Sequence, residues 1–448
     1  MNAPSLVLEA LVLFLFVLGA LSFMALVKGC FVLRRLARTT PRYDGNIILK
    51  SPLVFAVSVV VAIPDDSPKS REFAQRLVEL HFGKHELVLV LDGPTETELN
   101  TWTEEFHLCL SPRGATDDLP SAPIRGIYES RDPLRLVVVD KEPGGHADAL
   151  NAGINLAASP VIGLLDPLCE FEPTILLSLI RPMLDDPGRT VAVCGVMSPP
   201  GRPAGLVEDG PEGPPRSEWA ARFGELETLR LWLARCAAFA GWNRLVPVPG
   251  ASMLVLRDAI VKMGGFSAGP LELFLHLHGH ARASGKQYRV AFVPEAVSYA
   301  RLPDSFEELR SRNLRDERDI IGALGHRKSI SGGIRAIGWG LPGIFCVRCL
   351  RPVLETVAYP LAVAGLLMGW IDLPLAGLVL LSTVGMGIVV SMSAVVLREL
   401  VEFRGSHPTR LAALFFATIP ENLGYRQVRN LWLIAGFLQP ASKKQNRG

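Results

Sequence analysis

The stretch from Leu136 to Asp166 leaves this chain few folds to choose from. Leu136–Val139 is a short β-branched run of the kind that fills a buried strand. Gly144-Gly145 breaks it, Asp148 to Ala158 has helical composition, and Val161–Leu165 is a second apolar run ending on Asp166. Strand, glycine turn, helix and strand make the βαβ unit of a parallel sheet, because parallel neighbours need a long crossover. Ligands of such sheets bind beyond the carboxyl ends of the strands. Asp140, Gly144-Gly145 and Asp166 fall there, so the expectation is an α/β domain with its ligand site at one sheet edge.

The flanking sequence continues this grammar. Phe55–Ile63 reads as a first strand, Pro64-Asp65-Asp66-Ser67-Pro68 as its exit loop, and Arg71–Leu80 as a helix. Glu86–Leu91 is a second strand, and Asp92-Gly93-Pro94 after it is either a plain turn or a ligand-facing strand end. Ser111–Pro133, polar and rich in Pro, Gly and Asp, reads as a surface loop. Pro173–Met183 reads as a helix, Val191–Met197 as a strand, Ser198–Arg216 as a mobile insertion, and Trp219–Ala240 as a long helix. Ala283–Phe292, with Val293–Val297, fits a further strand.

The ends have a different character. Hydrophobic residues make up 49% of the 448 and charged residues 20%, with the apolar excess at the two termini. Leu6–Val27 carries one charge, Glu9, and at 1.5 Å per residue spans about 33 Å, enough to cross a hydrocarbon core. It lacks the basic start and cleavage site of a signal peptide and reads as an anchor. Lys28, Arg34, Arg35 and Arg38 follow it and place the large domain in the cytoplasm. Val353–Ile371 and Leu375–Leu397 are further spans joined by the tight turn Asp372-Leu373-Pro374, with Arg398, Arg404 and Arg410 returning the chain to the cytoplasm. Leu341–Leu350 reads as interfacial. Leu411–Ile419 and Leu431–Leu438 are each too short to span and read as interfacial, or as one broken span. The expected organisation is a transmembrane helix over 5–28, an α/β domain over 50–330, and interfacial and transmembrane helices over 335–440. The expectation is a multi-pass protein of the inner (plasma) membrane in contact with membrane lipid.

A net charge of +2, with no basic helix interleaved with aromatics, gives nucleic-acid binding no support. Seven cysteines are scattered without a disulfide framework, as expected of thiols facing the cytosol. Cys346-Val347-Arg348-Cys349 has no second pair to complete a zinc site.

Gly145-His146-Ala147-Asp148-Ala149-Leu150-Asn151-Ala152-Gly153 resembles the glycine–lysine–(A)–x–A–L–N–x–G element of membrane-bound family 2 glycosyltransferases, the group of cellulose, chitin and hyaluronan synthases. Histidine stands where lysine is usual. Val246–Leu256, Arg257-Asp258 and Gly264-Gly265-Phe266 are similar to the block that lines the acceptor side of the cleft. Glu421-Asn422-Leu423-Gly424-Tyr425-Arg426-Gln427 resembles a carboxyl-terminal E-N-x-G-Y-R-Q signature. The resemblance implies a GT-A domain, a Rossmann-like and mostly parallel sheet, that binds a nucleotide-sugar, most often a UDP-sugar, with Mg²⁺ or Mn²⁺. It implies nucleotide contacts at Asp65, Asp92, Gly145, His146, Asp148 and Asn151, and a metal contact at Asp166.

An inverting sugar transferase needs two carboxylates on a metal, a carboxylate base, and a platform for acceptor and diphosphate. In the family these are D-x-D, E-D and Q-x-x-R-W. Here D-x-D reads Asp166-Pro167-Leu168, so its second carboxylate is a leucine, and Glu170 is the nearest substitute. The E-D position falls on Gly269-Pro270, leaving Glu272 as the local base. Q-x-x-R-W reads Arg312-Asn313-Leu314-Arg315-Asp316, in which Arg315 alone persists. His276, His278 and His280 alternate around a helix, so surface histidines are expected rather than a metal site. The expected function is a catalytically impaired glycosyltransferase homologue, a pseudoenzyme. It would act as a sugar-nucleotide-binding or structural subunit beside an intact transferase in polysaccharide assembly. The alternatives are an active inverting transferase using Asp166 and Glu272, and a scaffold that binds no nucleotide.

Overall fold

The computed structural model describes residues 3–39, 54–63, 66–131, 136–198, 217–233, 238–241, 243–247, 250–267, 269–285, 287–325, 346–402 and 408–438. Asp65, the expected insertion over 199–216, residues 341–345 and Arg404 lie outside these ranges. Helix α1 (Ala3–Thr39) leads to β1 (Val57–Ile63), α2 (Pro68–Val78), β2 (His85–Asp92) and α3 (Glu96–Glu105). Next come β3 (Leu108–Leu110), β4 (Ile124–Ser130), β5 (Leu136–Lys141), α4 (His146–Leu156), β6 (Val161–Leu164) and β7 (Cys169–Phe171). They are followed by α5 (Ile175–Asp185), β8 (Thr190–Ser198), α6 (Glu218–Leu231), β9 (Met253–Leu256), α7 (Arg257–Met263), α8 (Pro270–Ala283), β10 (Arg289–Ala300) and α9 (Phe306–Gly325). The carboxyl-terminal part holds α10 (Arg351–Leu367), α11 (Leu373–Leu380), α12 (Met386–Glu402), α13 (Pro408–Pro420) and α14 (Arg426–Leu438).

The strands join in one 10-stranded mixed sheet, ordered β3-β4-β5-β2-β1-β6-β9-β8-β10-β7. Its centre, β5-β2-β1-β6, is parallel. Both faces of these strands are buried, which explains their unbroken apolar runs. Val57, Val59, Val61 and Ile63 of β1 cluster with Phe73 and Leu77 of α2, Trp102 of α3 and Leu179 of α5. Val60 and Ala62 cluster on the other face with Ala149, Ala152 and Ile154 of α4 and Phe274 of α8. Gly153 lies mid-helix, where glycine ordinarily weakens a helix. A Cβ there would stand 2.4 Å from a methyl carbon of Val60 and 3.0 Å from one of Val90, so the glycine lets α4 sit down on β1 and β2.

Among the described residues three helices are long and apolar enough to cross a membrane: Ser5–Leu36, Cys346–Leu367 and Leu373–Glu399. Leu26 and Leu33 of α1, with Val390 and Ala394 of α12, belong to the same buried cluster as the α4 face of the sheet. Helix α6 ties the sheet domain to the carboxyl-terminal helices through charge. Glu225 accepts from Arg398 at 3.0 Å and Arg410 at 2.9 Å, and Arg230 pairs with Glu421 at 2.5 Å. Arg398 and Arg410, expected as a basic membrane flank, are thus also partners of a buried glutamate.

Several elements differ from the sequence reading. The expected loop Ser111–Pro133 contains β4, which pairs antiparallel with β5. Its Arg125 and Glu129 conceal a strand whose apolar positions are few. The strand expected from Ala283 begins only at Arg289, because α8 runs to Ala283. The helix expected over Trp219–Ala240 is regular only as far as Leu231. Glu421–Tyr425 form a π-helical turn between α13 and α14, so the two expected interfacial pieces follow one another along a single helical path from Pro408 to Leu438. Cys346–Leu350 form a second π-helical turn that leads directly into α10.

Candidate functional site

The carboxyl ends of β2, β5 and β6 build one edge around a buried cation. Asp140 and Lys141 end β5 and face opposite ways. Asp140 accepts from Arg125 on β4, while Lys141 turns inward and is fully buried. The Lys141 ammonium pairs with Asp92 at 2.6 Å and with Asp148 at 2.6 Å, and donates to the Glu142 carbonyl at 2.6 Å. Its three N–H groups are all used. Asp92 also accepts from the Gly144 amide at 2.9 Å and the Gly145 amide at 2.7 Å. Burial pushes the Asp92 carboxyl up, but Lys141 and the two amides outweigh it and hold the group below its ordinary range.

Gly145 caps α4 with φ +91°, a backbone that side chains rarely adopt, and brings His146 to the helix start. His146 is open to solvent on one side and crowded on the others. The crowding lowers its imidazole pKa, against the charges of Asp166 and Asp92, which both reach it. It is therefore mostly neutral at pH 7. Asp166 stands where β6 ends, and its Oδ1 accepts from the Leu168 amide at 2.8 Å. Leu168 projects from this turn, 50% exposed. Gly250 packs against the turn, with its Cβ position 3.0 Å from Cys169 Sγ and 3.8 Å from Asp166 Oδ2.

Of the expected nucleotide contacts, the structure gathers Asp92, Gly145 and His146 beside Asp166. Asp148 and Asn151 lie on α4 but serve the scaffold. Asp148 binds Lys141 and accepts from the Ala122 amide, at 3.1 Å and 2.9 Å to its two oxygens. Asn151, buried, donates to the Pro120 and Phe266 carbonyls and accepts from the Phe266 amide. Glu272 is 2% exposed in the first turn of α8; it accepts from Ser267 Oγ at 2.6 Å, and His276 Nε2 lies 3.9 Å from its other oxygen. It is held inside the protein and does not face a solvated cleft. Arg315 is exposed on α9.

Sequence reasoning gave no role to two arginines, Arg301 and Arg312, whose charges reach the Asp166 turn at Cys169. The Cys169 thiol is pushed well up by its burial and by the Asp166 charge, while the charges of Arg312 and Arg301 act against this and Glu170 adds to it. Arg312 is half-buried on α9 and donates to Thr228 Oγ1 at 3.1 Å. Arg301 follows Ala300 of β10, which pairs with Cys169. Arg301 thus follows the last pair of the β10–β7 ladder and Leu168 precedes it, a proximity the sequence offers only once β7 and β10 are known to pair. Glu170, the expected substitute carboxylate, is exposed and has Arg76 as its neighbour at 3.8 Å.

A protein-built divalent-cation site does not fit these residues. Hard cations take several oxygen ligands, and Leu168 contributes none while one Asp166 oxygen is engaged by an amide. Among the described residues no three His, Cys, Asp or Glu side chains come together as a metal site. His278 is a core residue: its Nε2–H donates to the Leu245 carbonyl at 2.7 Å and its Nδ1 accepts from the Tyr288 hydroxyl at 2.9 Å.

The sheet, its strand-end site and the covering helices define the GT-A glycosyltransferase fold, here with apolar helices at both ends. Among solved structures the chain is similar to the mannosyltransferase PcManGT from Pyrobaculum calidifontis in complex with GDP-Man and Mn²⁺. The TM-score is 0.51 and the identity 16%, over 93% of this chain and 99% of that one. Weaker likenesses are S. aureus TarS with UDP-GlcNAc (TM-score 0.38, 12% identity, 83% and 92% of the chains) and glucosyl-3-phosphoglycerate synthase from Mycobacterium tuberculosis (TM-score 0.37, 14% identity, 64% and 84%). No protein-family profile and no curated protein matches the chain.

Proposed function

We propose that this chain is a membrane-anchored GT-A protein that binds a nucleotide-sugar but turns it over poorly, and that it serves as the non-catalytic subunit beside an intact glycosyltransferase in glycan assembly. The observation that carries this reading is the gathering of Asp92, Gly145, His146 and Asp166 at one sheet edge while Leu168 stands exposed at the second carboxylate position. The mannosyltransferase of the same fold holds GDP-Man, which supports a nucleotide-sugar as ligand. UDP-sugars are the first donors to try.

The residues left at the edge can bind and orient, and little else. The amino-terminal turn of α4, the accessible part of that helix, offers His146 to a phosphate. Asp166 and the Gly250 turn lie together beside it. No carboxylate at the expected base position faces the cleft, since Glu272 is held by Ser267. Loss of a general base alone removes roughly 10²–10⁴ in rate.

The proposed organisation is one membrane helix over 5–28, the GT-A domain over 50–330 in the cytoplasm, and membrane helices over 335–440 in the inner membrane. Reporter fusions at Thr116 and Lys444 should both read cytoplasmic; an extracytoplasmic signal at Thr116 would remove the domain from the compartment of activated sugars. The functional test is turnover of radiolabelled UDP- and GDP-sugars by membranes containing this chain alone, beside UDP binding to the solubilised protein. Binding without turnover is the expected result. Turnover abolished by both Asp166→Asn and Glu272→Gln would make the chain a working transferase.

A further inference from the structure

We infer that the guanidinium groups of Arg301 and Arg312 take the place of a divalent cation at the donor diphosphate, so that nucleotide binding by this chain is independent of metal. The inference rests on the donor-site reading above.

The argument starts from charge. A diphosphate brings about two negative charges to the edge, and a pair of carboxylates there would add two more, a repulsion that a bound cation ordinarily relieves. In this chain the second carboxylate is absent, for Leu168 fills its position and is exposed. Asp92 and Asp148 are both paired with buried Lys141, so their charge is largely compensated within the scaffold. Asp166 remains at the turn, and Glu170, two residues beyond Leu168, has Arg76 as its neighbour at 3.8 Å.

The cations lie around that same turn. Strand β10 pairs antiparallel with β7 as Ser298↔Phe171, Tyr299↔Glu170 and Ala300↔Cys169. Arg301 follows the last paired residue of β10 and Leu168 precedes the first of β7, so an arginine leaves the sheet at the end where a metal-binding carboxylate would stand. Arg312 approaches from α9, positioned by its bond to Thr228 on α6. That bond uses one of the five N–H groups of its guanidinium. Both charges act on the buried Cys169 thiol, three residues after Asp166, so both lie within electrostatic reach of the turn. Guanidinium is permanently charged, and its planar fork matches two phosphate oxygens at once. Loss of one carboxylate and presence of two arginines shift the local charge in the same direction, towards accepting a bare diphosphate.

The test uses the full chain in detergent, with UDP and uridine as probes in calorimetry. The expected result is UDP affinity equal within about threefold in EDTA and in Mn²⁺. Arg301→Gln and Arg312→Gln should each weaken UDP about 10-fold or more, a charge-assisted hydrogen bond lost, while uridine binding stays unchanged and certifies the fold. Thr228→Val, which removes the bond that positions Arg312 but no charge, should move UDP affinity by less than either arginine variant. UDP binding that needs Mn²⁺ and disappears in EDTA would overturn the inference and leave the donor-site reading standing. So would UDP affinity unchanged in both arginine variants. Absence of binding by either probe in either buffer would reject the donor-site reading, and the inference with it.

Discussion

The Tyr425 hydroxyl donates to Glu227 Oε1 across 2.9 Å, joining the π-helical turn between α13 and α14 to helix α6 of the sheet domain. Arg429 pairs with the same oxygen at 3.0 Å, and Asn313 of α9 donates to the other at 3.1 Å. Every polar member of the E-N-x-G-Y-R-Q run is engaged in this way: Glu421 with Arg230 and Ser391, Asn422 with Ser391, Arg426 with Glu355, and Gln427 with Tyr359. The run therefore ties the carboxyl-terminal helices to one another and, through Glu421 and Tyr425, to helix α6. Tyr425 also stacks on Phe223 of α6, ring centres 4.7 Å apart.

That junction sets an order of severity. Tyr425→Phe keeps the stacking and removes one hydrogen bond, and should cost about 1 kcal/mol. Glu227→Ala strips Arg429 of its partner in a mostly buried setting and should cost about 3 kcal/mol. Thermal unfolding of the solubilised protein measures both. Equal losses in the two variants would mean the glutamate contributes no more than the tyrosine's bond.

Acid sensitivity should trace to His278. Burial lowers its imidazole from the ordinary 6.5 to about 4. Between those values the unfolded chain binds the proton and the folded one does not, so stability is complete above the upper value and declines as pH falls towards the lower. The slope approaches about 1.4 kcal/mol per pH unit and totals about 3 kcal/mol. Denaturant midpoints at pH 7 and pH 5 should fall apart in the wild type and much less in His278→Gln. The same fall in both would place the titrating group elsewhere.

Lys141 is the keystone of the edge. Lys141→Met leaves Asp92 and Asp148 facing each other's charge, relieved in part because both keep some exposure, and should cost about 3 kcal/mol. Asp92 then loses the ammonium that holds its pKa down, so the stability that the wild type keeps above the ordinary carboxylate range and loses on acidification shrinks in the variant. Denaturation at pH 7 and pH 4 measures both effects. A loss below about 1 kcal/mol at pH 7 would show that the carboxylates hold the turn without the lysine.

The central βαβ unit was legible because its strands are buried on both faces and its glycines have steric reasons. Gly145 needs a positive φ and Gly153 a close approach to Val60. What Asp92 binds was not legible. Lys141 reads as a polar residue after a strand, and only the alternation of β5 shows that it points inward. The surroundings of the α9 arginines were not legible for a related reason. Arg315 keeps the residue type that the Q-x-x-R-W resemblance expects, but the structure exposes it while Arg312, one turn earlier, lies half-buried against Thr228. The partners of the carboxyl-terminal signature were invisible because α6 was read for its apolar spacing, and its Glu225, Glu227 and Arg230 serve the junction instead.

The sharpest test of the donor edge is to restore what Leu168 replaces. Leu168 is half exposed on a surface turn, so Leu168→Asp should change stability by no more than about 0.5 kcal/mol. The new carboxylate would stand two residues from Asp166, at the end of the β7–β10 ladder that Arg301 follows, adding a hard oxygen ligand where there was none. Nucleotide binding should then acquire metal dependence: weaker than wild type in EDTA, because the added charge repels the diphosphate, and recovered by Mn²⁺. Combining Leu168→Asp with Arg301→Gln should enlarge the difference between EDTA and Mn²⁺, since the competing cation is gone. Transfer should stay low in both variants, because neither supplies a base at the Gly269-Pro270 position. UDP titrations of the three proteins, with and without Mn²⁺, decide the matter. A Leu168→Asp protein that binds UDP as the wild type does in both buffers would place the diphosphate away from the Asp166 turn.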